Sequence, residues 1–292
     1  VPVACDITAE ADSGGHTDNR AAGPLFASIV QARREVCARQ GWEPDAVRIG
    51  LAGGLGTPHA VAAAFSMGAA YVLTGSVNQS AVESGLSPKG REMLAKAGPA
   101  DVIMTPAADM FEQGVKVQVL KRGTLFGPRG NRLAELYRAR EGLEALSDKE
   151  RAFVEECLGE SLEAAWEATA AFTAKANPGE YERALSDPKK RMALVFRRYL
   201  FMGAHWAREG RNERAADFQI WCGPAMGAFN EWVKGSGLEP LEGRSVAAIG
   251  WNLMEGAARL IRAQQARAMG ADVLVRLFDV RPVDFGAAGG GA

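Results

Sequence analysis

Short apolar runs alternate with amphipathic stretches over the first part of the chain. Val3–Ala11 (VACDITAEA), Val47–Ala52 (VRIGLA) and Ala70–Thr74 (AYVLT) read as strands. Between the first two, Leu25, Ile29 and Val36 recur at helical spacing after Pro24, flanked by Phe26, Val30 and Cys37, and Gly41 ends the run. Thr57 and Pro58 are a cap and a first-turn residue for a second helix that carries Val61 and Phe65 and stops at Gly68. Strand, helix, strand, helix, strand is the grammar of parallel βαβ units, whose strands are buried on both faces and read as apolar runs. These strands are fewer than a closed barrel needs, so they fit part of an open sheet or the last segment of a barrel. Past about residue 130 the period changes to that of helices. Leu133–Leu146, Lys149–Ala176, Pro188–Arg208 and Ser245–Met269 carry apolar residues at three- and four-residue intervals, with breaks at Asn177-Pro178-Gly179 and Ser186-Asp187-Pro188. The pattern predicts an α/β segment over residues 1–127, a helical domain over 128–270 and a largely disordered tail over 271–292, whose end from Gly286 is only Gly and Ala.

Composition narrows the function classes. The 292 residues hold 34 basic and 35 acidic side chains, a net charge of −1, which argues against a nucleic acid or an anionic membrane surface as partner. No apolar run approaches a membrane span and no signal peptide is visible. Cys5, Cys37, Cys157 and Cys222 are scattered without metal-ligand spacing and read as reduced thiols of a cytoplasmic protein; no metal site is expected. The chain starts Val-Pro-Val without Met, directly in strand-like sequence, so a piece of a longer chain is expected.

Each predicted strand ends in glycine: Ser13-Gly14-Gly15-His16, Gly53-Gly54 and Gly75-Ser76. In parallel α/β folds ligands sit at the C-terminal edge of the strands, where these loops converge. Two glycine pairs one helix and one strand apart belong to neighbouring strands, and glycine backbone together with helix N-termini suits a phosphate. Gly54-Leu55-Gly56 is not a dinucleotide fingerprint, since His59 stands where the third glycine should be, and no P-loop lysine follows. His16 can exchange a proton near neutral pH and suits chemistry that makes or quenches a carbanion beside a carbonyl. His59 and His205 lack such a setting. Trp221-Cys222-Gly223-Pro224 has the look of a redox motif, but Ala225 replaces the second cysteine, so Phe218–Trp232 reads as core or as the lining of an apolar substrate channel. Gln113–Ala134 contains no acid but Lys116, Lys121, Arg122, Arg129 and Arg132, either a solvated face or a landing strip for an acidic partner.

Three motifs then point to a family. ADSGGHTDNR (Ala11–Arg20), AGGLGTP (Ala52–Pro58) and LTGSVNQ (Leu73–Gln79), followed by PAADMF (Pro106–Phe111), VQVLKRGTLF (Val117–Phe126) and QIWCGPAMG (Gln219–Gly227), closely resemble the FMN-dependent, trans-acting enoyl reductases of polyunsaturated fatty acid and polyketide synthases, the PfaD type. The resemblance covers nearly the whole chain except the tail. It implies the C-terminal part of a flavin-binding TIM barrel, related to nitronate monooxygenases, with an added α-helical domain. It places Gly53, Gly54, Thr74, Gly75 and Ser76 at the flavin phosphate, with Gly14 and Gly15 beside them and His16 as the catalytic residue. It implies FMN as cofactor, NADPH as reductant, an acyl carrier protein as partner and a missing N-terminal barrel half, and it leaves a homodimer open. Asp18 stands where the wider nitronate group has glycine. Two other readings remain: a nitronate monooxygenase-like flavin oxidase in which His16 abstracts a proton, and a non-catalytic docking module for the carrier protein.

Overall fold

A computed structural model describes residues 2–284, which divide into two compact units: residues 2–102 with 221–284, and residues 103–220. This division differs from a boundary at residue 127. The chain leaves the first unit, builds the second, and returns.

In the first unit, β1 (Asp6–Glu10), β3 (Arg48–Ala52) and β4 (Val72–Leu73) form one parallel sheet in the order β1-β3-β4. All three lie within the predicted strands and are shorter at their starts. A two-residue strand, β2 (Gly15–His16), lies in the first glycine loop. Ala9, Ile49 and Leu51 share one face of the sheet and are buried. On the other face the Tyr71 ring crosses β3 and its hydroxyl meets Thr8 Oγ1 at 2.9 Å. Gly50 makes room for it, because a Cβ there would lie 2.2 Å from the ring. Helix α1 (Ala22–Gln40) ends at Gly41 in the left-handed conformation, as predicted. Its buried positions are Phe26 and Cys37, while Val36 is exposed, so the stripe is rotated from the predicted one. In α2 (Pro58–Ser66) Thr57 Oγ1 accepts the Ala60 N–H, the predicted cap.

The remainder of this unit comprises α3 (Pro88–Ala95) and, after the return, α9 (Pro224–Trp232) and α10 (Val246–Ala268). Helix α10 packs along α2, with Gly256 against Pro58, where a Cβ would come within 2.6 Å. The Arg244 guanidinium is 1% exposed. It donates to the Leu238 and Glu239 carbonyls and to Asn230 Oδ1, and Asn230 Nδ2 in turn donates to the carbonyls of Leu94 and Ala97 at the end of α3. Residues 271–284 are not loose as the tail prediction had it. Asn252 brackets Val283 with two hydrogen bonds and Trp232 Nε1 donates to the Val280 carbonyl. The Gly/Ala stretch from Gly286 lies outside the described residues.

The second unit pairs β5 (Val102–Pro106) with β6 (Lys116–Leu120), two strands the sequence pattern did not give, and adds five helices. Helix α4 (Phe126–Ala139) starts about two turns before the predicted run. The long predicted helix from Lys149 is two, α5 (Asp148–Leu158) and α6 (Leu162–Ala176), divided where Gly159 turns left-handed. Asn177 caps α7 (Pro178–Ser186) and Asp187 caps α8 (Pro188–Glu209). The core between them includes Phe126, Leu133, Val154, Phe196 and Tyr199, with the Phe126 and Tyr199 rings stacked 5.5 Å apart. Within it the carboxylate of buried Asp217 accepts from Tyr199 Oη, Arg129 Nη1 and Arg214.

Candidate active site

The parallel register sets the site. Glu10 pairs with Ala52 and Ala52 with Leu73, so the residues one step beyond, Ala11, Gly53 and Thr74, leave the same edge of the sheet. The three glycine loops read from the sequence therefore lie at one C-terminal edge. The Ala11 N–H donates to the Ala52 carbonyl, and Gly53, with φ at +84°, stands against the Ala11 backbone so closely that a Cβ would lie 2.5 Å from the Ala11 oxygen. Gly54 follows, also left-handed at φ +73°, and no atom of the described residues lies within 4 Å of where its Cβ would stand. The same open space lies over Gly75. Two neighbouring turns thus offer bare backbone towards unfilled volume, the geometry a phosphate requires.

The helix contribution is smaller than expected. Thr57 already satisfies the Ala60 N–H at the start of α2, and Gly75 leads into a 3₁₀ turn, Ser76–Ser80, in place of an α-helix. Thr74 faces this turn: Asn78 Nδ2 donates to its carbonyl and the Thr74 hydroxyl meets Asn78 Oδ1.

Gly14 has no room for a side chain. A Cβ there would lie 2.7 Å from the Cys222 nitrogen. Gly15, at φ +86°, faces the Trp221 ring at 3.6 Å from its would-be Cβ, and His16 follows with its side chain exposed. The Gly223 N–H donates to Ser76 Oγ at 3.0 Å, and Gln79 Nε2 donates to the Trp221 carbonyl at 2.8 Å. Of the residues read as site positions, Gly53, Gly54, Thr74, Gly75 and Ser76 follow this edge, whereas Gly15 and His16 form β2, which is not a strand of this sheet; the Gly14-Gly15 backbone is connected to the edge through Trp221–Gly223.

Gln79 and Trp221 adjoin these loops; Trp221 lies in the Phe218–Trp232 stretch read as core or channel lining, and nothing in the sequence marks Gln79 apart from its place in the LTGSVNQ motif. The Cys222 thiol is wholly buried and burial pushes it up to about 12, far from a reactive thiolate. The rest of the stretch is core, one of the two roles its composition suits: Met226 and Phe229 are fully buried. His59 Nε2 donates to the Phe278 carbonyl and His205 pairs with Glu209 on the surface of α8. The basic stretch is thinner than its sequence: Arg129 is turned inward to Asp217 and Glu156, and Arg132 pairs with Glu135, while Lys116, Lys121 and Arg122 are exposed. Among the described residues no cluster of His, Cys, Asp or Glu could hold a metal, and no helix is long and apolar enough to cross a membrane. All four cysteines are free.

Known proteins are similar to this chain. The chain is 43% identical over 291 residues to a component of the polyunsaturated fatty acid synthase of Thraustochytrium sp., covering 96% of this chain and 14% of that protein. It is 42% identical over 262 residues to the polyketide biosynthesis protein PksE of Bacillus subtilis, covering 89% of this chain and 34% of that protein. It spans about a third or less of each. Among solved structures it resembles the enoyl reductase domain of MlnA, from the macrolactin biosynthesis cluster of Bacillus amyloliquefaciens, with a TM-score of 0.85, 36% identity, and coverage of 91% of this chain and 59% of that one. Residues 140–218 match a family described as the inserted helical domain of [acyl-carrier-protein] S-malonyltransferase.

Proposed function

Because the chain is a relative of trans-acting, PfaD-type enoyl reductases, we propose that it carries part of an FMN-dependent enoyl reductase that serves fatty acid or polyketide synthesis, with the enoyl group presented as a thioester on an acyl carrier protein. The observation that carries this reading is the pair of open glycine turns, Gly53-Gly54 and Gly75-Ser76, at the ends of adjacent parallel strands. Their fit to an FMN phosphate is steric and electrostatic: bare amides, no side chain in the way, and the Ser76 hydroxyl close by with its oxygen already accepting from Gly223. Thr74 leads into the second turn, and the Gly14-Gly15 backbone would add to the same site from its place against Trp221–Gly223. The rest of a TIM barrel around this three-stranded sheet, supplied by another segment or chain, is part of the proposal, since β1 and β4 are its two edges.

When bound, FMN would carry a hydride from NADPH to the β-carbon of the enoyl thioester. His16 would supply the proton to the α-carbon, from a loop whose backbone is fixed by the contact of Gly14 with Cys222. Exposed Lys116, Lys121 and Arg122 would meet the acidic carrier protein.

An absorbance spectrum of the intact protein tests the first step. Flavin bands are expected, lost on desalting of a Gly54→Val/Gly75→Val variant whose new side chains fill the open space. His16→Ala is expected to keep the bands and lose at least about 10²-fold in enoyl turnover. A protein without flavin bands, or a variant that holds flavin as tightly as the parent, would count against the phosphate site; turnover within about threefold would remove His16 from the chemistry.

A further inference from the structure

We infer that Arg244 is a positioning residue for the phosphate turn at Gly75-Ser76, its buried guanidinium reaching that turn through the Ser80 hydroxyl and supplying the positive charge that neither glycine turn carries; this rests on the phosphate reading above. Residues 52–58 and 73–82, which contain both turns, include no Asp, Glu, Lys or Arg. Bare amides can orient a phosphate, but its charge is left to them alone unless a cation stands behind them. Arg244 is 1% exposed, and its hydrogen-bond acceptors are all neutral: the carbonyls of Leu238 and Glu239, Asn230 Oδ1 and Ser80 Oγ. The Glu239 carboxylate accepts the Gly235 N–H instead. Burial pushes the guanidinium down to about 10, with Glu239 opposing the fall, so it keeps its charge at neutral pH.

The connection to the turn is direct. Ser80 closes the 3₁₀ turn that follows Gly75, and its side chain is fully buried. Arg244 Nη1 donates to Ser80 Oγ at 3.4 Å, and that hydroxyl donates to the Val77 carbonyl at 2.8 Å, so one hydroxyl joins the cation to the backbone of the turn. The Arg244 carbonyl accepts the Val82 N–H, which fastens the residues just past the turn. Ser76 and Gln79 tie the same turn to the backbone of residues 221–223. A buried charge with neutral partners is costly, and an apolar side chain of similar length could fill the same space. What the apolar side chain could not do is attract an anion. The turn rises about 2 Å per residue, which puts its Arg244 end on the order of 10 Å from its opening at Gly75. At that range inside a protein a full charge changes the affinity for an anion about tenfold.

The test is the affinity of the intact protein, stripped of flavin, for FMN and for riboflavin, which lacks the phosphate. Quenching of flavin fluorescence gives both Kd values for the parent and for its Arg244→Met and Arg244→Lys variants. The parent is expected to bind FMN the more tightly. Arg244→Met is expected to lose about tenfold for FMN and to stay within about twofold for riboflavin, while Arg244→Lys, which keeps the charge, retains most of the preference. A ratio of the two Kd values unchanged in Arg244→Met, whether both affinities hold or both fall together, overturns the inference and leaves the phosphate site standing. An Arg244→Lys variant that loses the preference as fully as Arg244→Met overturns it as well. If Arg244→Met fails to fold, Ser80→Ala decides by the same ratio, with a fall of about threefold expected and an unchanged ratio counting against the inference. If the parent itself binds FMN no more tightly than riboflavin, the phosphate reading falls and takes this inference with it.

Discussion

At the scale of single residues, the glycines of the site differ in what they tolerate. Gly53 combines a left-handed φ of +84° with backbone pressed against its missing side chain, whereas Gly54 has the φ of +73° and open space. A methyl at Gly54 costs only the backbone strain, about 1–2 kcal/mol. At Gly53 the clash with Ala11 adds about 1–3 kcal/mol of overpacking. Gly53→Ala is therefore expected to lower the urea midpoint of the first unit more than Gly54→Ala, with tryptophan fluorescence as the probe. Equal midpoints would mean the Ala11 backbone yields at no cost. The sequence marks both positions as glycine but cannot rank them, since the rank depends on a strand end some forty residues away in the chain. His16 stands out in the sequence because it follows two glycines at a strand end, and the structure leaves it exposed. In the Phe218–Trp232 stretch the sequence leaves core and channel lining open; Met226 and Phe229 are core, while Trp221 is exposed.

At the scale of elements, punctuation is the most legible feature. Gly41, Thr57-Pro58 and Asp187-Pro188 bound helices where the sequence places the bounds. Gly159 escapes notice because apolar periodicity continues on both sides of it. The strands β5 and β6, five residues each like β1 and β3, escape it because only a 3₁₀ turn, Phe111–Gln113, lies between them and the strand–helix alternation is missing. The start of α5 shows how local chemistry fixes an end. Ser147 Oγ accepts the Glu150 N–H, while the Glu150 carboxylate accepts from the Ser147 N–H and is forked by Arg140. The Arg140 hydrogen bonds, with the Ser147 N–H second, hold the Glu150 carboxyl down at about 2 against an ordinary 4.5. A carboxyl depressed in the folded state stabilises above its unfolded value and loses that contribution as pH falls. The support of this cap is thus complete above about pH 4.5 and fades towards pH 2. Carboxyl NMR titration is expected to give Glu150 a midpoint near 2, and Arg140→Gln to move it up towards 4.5. A midpoint unmoved by that change would assign the shift to the Ser147 amide.

For the whole molecule, the chain order matters more than the element types. A boundary at residue 127 follows the change of periodicity, but periodicity reports local structure and cannot show that residues 221–284 come back to the first unit. The return has physical reasons that are non-local: α10 closes on α2 through Gly256 and Pro58, Asn230 binds the end of α3, and Gly227 lies so close to Gly98 that a Cβ would be 2.0 Å from its carbonyl carbon. Residues 1–127 expressed alone would expose the buried Pro58, Val61, Ala62 and Ala64 of α2 and leave the Leu94 and Ala97 carbonyls without Asn230. Residues 103–220 alone keep their core and the Asp217 cluster, because Arg129, Tyr199 and Arg214, which donate to that carboxylate, all lie within the segment. The shorter contiguous piece is therefore expected to melt cooperatively by circular dichroism and to resist limited proteolysis. The 1–127 piece is expected to do neither until residues 221–292 are supplied in trans. A cooperative melt of 1–127 by itself would show that the glycine edge needs nothing from the returning segment, Asn230 and α10 included.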